Sequence, residues 1–235
     1  MTPTKFCCIA LAAVAVSACN DKGGLTYDFV APRTGSQSIF AQTIIDNSNN
    51  TINETVRETT TADNVDGSYA YTQDDPNNDS VTLNGTTYSV PTENLTANAS
   101  GQVTSYSYTP AGGSQVTCTV APHGAGPNYP IAIGALWSIG YTETCGTAAP
   151  IAYSQSGSVV DLESITIPAG TFNAIKLQST LTWTTNGTVH TKSITTWREA
   201  SDGSILKMAE TITYSGTAPV NGYPVSITKV LQSRT

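Results

Sequence analysis

The sequence predicts an all-β fold, a curved antiparallel sheet or open barrel, with two stacked sheets as the alternative. Three observations lead there. Segments 159–167, 172–183, 188–197, 204–214 and 220–230 follow one another as strands across the last third of the chain. Their links, Pro168-Ala169-Gly170-Thr171, Thr185-Asn186-Gly187, Ala200-Ser201-Asp202-Gly203 and Ser215-Gly216-Thr217-Ala218-Pro219, are too short to join anything but antiparallel neighbours. Ile175, Leu177, Ser179 and Leu181 alternate with Lys176, Gln178, Thr180 and Thr182, the period of a sheet with one buried and one wet face. No helix of ordinary length is written after residue 18, and a sheet this long without helices to cover it must curl on itself or form two layers.

Upstream, the strands are shorter and the turn signals denser. Segment 25–30 can serve as a first edge strand, and 36–45 and 51–61 read as strands joined by the turn-rich Asp46-Asn47-Ser48-Asn49-Asn50. A short strand at 68–72 leads into a polar loop over 73–80. Asn84-Gly85 then sits between Val81-Thr82-Leu83 and Thr86-Thr87-Tyr88, a hairpin signal because both turn residues tolerate positive φ. Segments 103–108 and 116–120 are strands, and 121–132 carries three prolines and two glycines and is expected as a long loop. A strand over 135–144 holds Trp137 and Tyr141, and 146–158 is expected to be loop again.

Charge narrows the function. The formal net charge is -7, and only 11% of residues are charged, which argues against nucleic acid because phosphate binding needs clustered Lys and Arg. Lys5 followed by an apolar stretch over 6–16 is the start of an export signal, too short for a spanning helix of about 20 residues. The run Val16-Ser17-Ala18-Cys19 resembles the lipobox of bacterial lipoproteins. That resemblance implies diacylglycerol on Cys19, a further acyl chain such as palmitate on its freed amine, and stable attachment to the lipid bilayer. Asn20, where an aspartate would signal retention, favours the outer membrane by the same resemblance. Ordinary secretory cleavage after Ala18 is the alternative. The resulting division is a signal peptide over 1–18, a lipidated flexible tether over 19–35, and a single β domain over 36–231. The Asn-x-Ser/Thr sites matter only on a eukaryotic secretory route, which the lipobox argues against.

Five cysteines are present. Cys7 and Cys8 lie in the export signal and Cys19 is assigned to lipid, so Cys118 and Cys145 form the candidate disulfide of an oxidising compartment. Closing a loop of about 28 residues would contribute roughly 3.5 kcal/mol. A redox or metal pair is the alternative, opposed by the lack of Cys-x-x-Cys spacing and by His123 being the sole nearby imidazole.

Glu163-Ser164-Ile165-Thr166-Ile167-Pro168-Ala169-Gly170-Thr171-Phe172-Asn173-Ala174-Ile175-Lys176-Leu177 resembles the Val-Pro-Ala-Gly-Thr-Phe strand-turn-strand of many bacterial envelope proteins of unknown function. These include a group distantly similar to the periplasmic lipoprotein carriers, which cup acyl chains in a curved sheet. Thr196-Trp197-Arg198 and Asp202-Gly203-Ser204-Ile205-Leu206-Lys207 stand where that pattern has its next strands. The resemblance covers about 159–210. It implies an apolar ligand lined by Trp137, Phe172 and Trp183 or Trp197; the same aromatics can equally form an ordinary core.

Catalytic signals are sparse. His123 and His190 could each join a Ser-His-Asp site, but no Gly-x-Ser-x-Gly elbow is present. Asp161 and Glu163 share a strand face, a geometry open to paired carboxylates and equally to a solvated surface. Asp75-x-Asn77-x-Asp79 fails as a calcium loop because Ser80 replaces the central glycine and Thr86 the final glutamate. No catalytic residue, metal or cofactor is therefore expected. The reading is a membrane-anchored envelope lipoprotein with a structural or interaction role toward a protein or glycan; the alternatives are a carrier of an apolar or lipid ligand and, third, a hydrolase. Intact mass should show loss of residues 1–18 with acyl mass on Cys19, and non-reducing peptide maps should link Cys118 to Cys145. Cys19→Ala protein should leave the membrane fraction or remain uncut, and fractionation like the parent would contradict the lipoprotein reading.

Overall fold

The computed structural model describes residues 24–77, 81–83, 86–88, 91–110, 113–216 and 223–235. The export signal, Cys19, the Asn84-Gly85 turn and Asp79-Ser80 lie outside the described residues. Among those described there are sixteen strands: β1 (Thr26–Tyr27), β2 (Gln37–Asp46), β3 (Thr51–Asp63), β4 (Tyr69–Asp74), β5 (Val81–Leu83), β6 (Thr86–Tyr88), β7 (Glu93–Ala97), β8 (Val103–Tyr108), β9 (Val116–Ala121), β10 (Ile131–Ala132), β11 (Leu136–Cys145), β12 (Ile151–Ile167), β13 (Gly170–Thr185), β14 (Thr188–Glu199), β15 (Ile205–Ser215) and β16 (Pro224–Arg234). Twelve of them, β2, β3, β4, β7, β8, β9 and β11 to β16, pair in chain order as an antiparallel meander, and β16 returns to pair with β2.

The sheet is thus a closed barrel, not the open or two-layered form that local patterning allows. Pairs such as Leu231↔Phe40 and Ile227↔Ile44 make the closure, and no short connection announces it because the partners lie at opposite ends of the sequence. Closure satisfies the backbone groups that an open edge would expose. Alternation then assigns an inner and an outer row on each strand. Phe40, Val56, Leu177, Leu181, Ile212 and Leu231 are buried on the inner rows. The outer rows carry Ser138↔Ser156, Ser156↔Thr180, Thr180↔Ser193 and Ser193↔Thr211, with Arg57 and Asp74 ion-paired across β3 and β4.

Three further departures from the sequence reading have local causes. Residues 151–158, expected as loop, open the long strand β12; Ser, Gln and Gly there hide the strand signal, yet Tyr153 pairs with Tyr141 and Trp183. Gly157 within it makes room for Trp137, since a Cβ at Gly157 would stand 2.3 Å from Trp137 Cζ2. Strand β7 was not foreseen, its Glu-Asn-Leu-Thr-Ala sequence having little β propensity. The flexible tether expected over 19–35 does not extend through its second half. From Thr26 the chain packs across one end of the barrel, where β1 pairs with β10 inside the proline-rich loop. Tyr27 and Ile131 join Val159, Ile175 and Leu177 in one buried cluster.

Two glutamines hold the loop in place. The buried Gln102 donates through Nε2 to the carbonyls of Gly126 (3.0 Å) and Pro127 (2.9 Å), and Gln155 Oε1 accepts from Gly126 N (2.7 Å). A disulfide joins Cys118 and Cys145, residues directly paired across β9 and β11, and so fastens the two strands that flank this loop. At the same end, the tip of the β12–β13 hairpin packs Ile165, Ile167 and Phe172 against a second cluster of Phe40, Val56, Ala174, Leu206 and Leu231. Gly157→Ala should force Trp137 from its place and cost about 1–3 kcal/mol. An unchanged denaturation midpoint and tryptophan emission would contradict that packing.

Candidate functional site

The inner rows hold a charged and aromatic interior. Lys229, 6% exposed, reaches across β2 to Glu58 on β3, with its ammonium 4.3 Å from the centre of the Phe40 ring. Lys192 and Glu210 form a second pair at 2.8 Å, and Gln42 Nε2 donates to Glu54 at 3.2 Å. Burial pushes the Glu93 carboxyl up, and Lys229 draws it partly back; burial likewise raises Glu54. Pairing of Lys229 with Glu58 and of Lys192 with Glu210 offsets the cost of burying these ions.

At the plugged end these rows enclose a cavity of about 340 Å³. Its apolar walls include Phe29, Phe40 and Ile205, and its polar lining includes Tyr69, Tyr71, Glu58, Arg198, Asp202 and Arg234. Phe29 is set by the plug: its ring lies 5.9 Å from that of Tyr69 and 5.8 Å from that of Tyr129, and Val30 N donates to Asp202 O at 2.9 Å. Gly101 and Gly203, at φ +71 and +74, let the turns approach this ring; a Cβ on Gly101 would lie 2.8 Å from Phe29 Cε2. Burial pushes the Tyr69 hydroxyl up to about 12 and holds Tyr71 well above its ordinary value, with Arg198 opposing both shifts. Both phenols therefore remain protonated donors at neutral pH.

The four aromatics read from the sequence as one lining do not stand together. Trp137 belongs to the plug cluster, Phe172 to the hairpin-tip cluster. Trp183 stacks on His190 at 4.8 Å and 6° near the opposite end, in a run with Tyr153 and Tyr141. Trp197 packs against the same hairpin-tip cluster, with the ammonium groups of Lys176 and Lys207 5.4 and 4.8 Å from its ring, and its indole donates to Glu163. The cavity lining comes instead from Phe29, Tyr69, Tyr71 and Arg198. Sequence reading missed these because they come from the plug, β4 and β14, which only barrel closure brings together. The alternation on β14, which sets Arg198 on the inner row opposite Ile175, was the one available signal.

The catalytic candidates have other partners. His190 is 4% exposed, and its two ring nitrogens bond the hydroxyls of Thr185 and Tyr223, each at 2.9 Å. His123 Nδ1 bonds the Gly124 carbonyl at 3.0 Å. Glu163 is held by Trp197 and, at 3.9 Å, by Lys176. Among the described residues no group of three or more His, Cys, Asp or Glu is placed to hold a metal. No described helix is long and apolar enough to cross a membrane. Among the described residues the outer rows carry the Ser/Thr pairs and the Arg57–Asp74 ion pair.

No protein-family model matches the chain, and no curated protein matches it. Among solved structures the chain is similar to a candidate exported protein with a YmcC-like fold from Bacteroides fragilis, with 13% identity, coverage of 90% of this chain and 100% of that one, and a TM-score of 0.49. It is similar to a candidate lipoprotein from Parabacteroides distasonis, with 13% identity, coverage of 89% and 99%, and a TM-score of 0.42. The hypothetical lipoprotein YmcC from Escherichia coli shows 12% identity, coverage of 93% and 100%, and a TM-score of 0.42.

The raised Glu93 carboxyl carries a pH dependence. Its folded state holds the proton more tightly than the unfolded chain, so folding loses stability as pH rises from about 4.3, the unfolded value, through the folded value. Glu93→Gln should therefore raise the melting temperature at pH 7 and have little effect well below pH 4.3. An equal effect at both pH values would contradict the burial of this carboxyl.

Proposed function

We propose that this chain is a lipid-anchored protein of the bacterial cell envelope whose barrel binds a small ligand in the cavity at its plugged end. The observation that carries this reading is the cavity itself. Its volume of about 340 Å³ lies at the lower end of the range of about 300–1,000 Å³ usual for small-molecule sites, and it combines aromatic walls with a few convergent polar groups. The role is non-enzymatic on this reading, because the polar groups of the lining are suited to orienting a ligand and the two histidines are engaged elsewhere. The lipobox at Cys19 supports the anchored, envelope location, and Asn20 supports the outer membrane.

A second reading, an interaction role toward an envelope protein or glycan, is favoured by a broad groove of about 890 Å³ over β11 to β15, where Leu136 is 82% exposed. Native mass spectrometry of the protein purified from the cells that make it, followed by organic extraction, separates the two. A stoichiometric small molecule supports the binding reading. Recovery of the processed, acylated chain with no further bound molecule would favour the interaction role.

A further inference from the structure

Of the charged groups that line the cavity, Arg198 is the partly buried one without an ion-pair partner among the described residues. Glu58 is paired with Lys229. Arg234 is paired with Glu199 and, at 3.3 Å, with Asp202. Arg33 lies at the exposed rim, where Asp63 is the nearby charge. Arg198 is partly buried, and among the described residues no carboxylate lies within ion-pair distance of it. Its guanidinium makes one bond, from Nη1 to the carbonyl of Gly203 at 2.8 Å.

A guanidinium has five N–H donors in a planar fork that fits a carboxylate, and a partly buried cation without a counter-charge is costly. The other interior cations of the barrel, Lys192 and Lys229, each have a carboxylate partner. The phenols of Tyr69 and Tyr71 line the same cavity and add protonated donors beside this charge. Aromatic and aliphatic surface from Phe29, Phe40 and Ile205 supplies the apolar side.

Resting on the binding reading above, we propose that the cavity takes an anionic amphiphile, its apolar part against Phe29 and Phe40 and its single negative charge, a carboxylate, on Arg198. The one partly buried cation without an ion pair selects a monoanion, and the volume of about 340 Å³ selects a short chain. The carboxylate would share its two oxygens between the guanidinium fork and the neighbouring phenols, in hydrogen bonds ionised on both sides at the arginine, where a neutral hydroxyl offers one oxygen and no charge.

Titration calorimetry of the full protein with decanoate and with decanol, which differ only in the head group, tests this. Decanoate should bind about tenfold or more tightly than decanol, the ratio expected when a charge-assisted bond is added. Arg198→Gln should remove most of the preference for decanoate over decanol, with Arg198→Lys intermediate. Equal affinity for both probes on the parent protein would overturn the anionic preference while leaving the binding reading intact. Failure of both probes to bind would overturn the cavity as a site for amphiphiles altogether. The parent comparison decides the matter even where a variant does not fold.

Discussion

Everything else in the molecule depends on the pairing of its last strand with its first long one. Twelve strands joined in sequence would leave two open edges, and the β16–β2 ladder removes both at once. Closure at this strand number has a consequence. About eight strands make a barrel that side chains just fill, and diameter grows with strand number, so a barrel of twelve has more interior than its inward residues can occupy. The chain fills the excess in two ways. Residues from the segment before β2 and from the loop between β9 and β11 pack into one end, and long polar side chains, Lys229, Glu58, Lys192 and Glu210, meet within the interior.

The plug accounts for several details that local rules leave unexplained. Gln102 and Gln155 are buried amides because the backbone they serve, at Gly126 and Pro127, is irregular and lies away from solvent; its polar groups need partners that no ladder supplies. The glycines at 101 and 203 are required by the Phe29 ring as much as by their turns. Tyr27, Tyr129 and Trp137 bury a donor atom each in the same region without a protein acceptor, which makes this end the least satisfied part of the described interior.

The legible part of the fold was the part governed by nearest neighbours. The meander from β12 to β16 follows from short turns, and the alternation around Ile175 to Leu181 follows from one buried face. What the sequence hid was long-range. Residues 26–33 look like a polar linker because the partners that order them, Tyr69, Tyr129 and Asp202, are distant in sequence. The beginning of β12 reads as loop because a strand lined by large aromatics on its neighbours needs small residues such as Gly157 to receive them. The site was hidden for the same reason. Tryptophans drew attention as ligand walls, whereas the cavity is built from phenylalanine, tyrosine and arginine on elements that meet only when the barrel closes and the plug is seated.

The central claim is that the seated plug leaves a ligand-binding space beside Arg198. A crystal structure of the protein isolated from the cells that make it tests it most directly. The account predicts non-protein density between Phe29, Tyr71 and the Arg198 guanidinium, with an elongated part along the rings and its polar end at the arginine. Side chains of Phe29 and Tyr69 collapsed together into that space, with Arg198 turned onto a protein carboxylate, would contradict it.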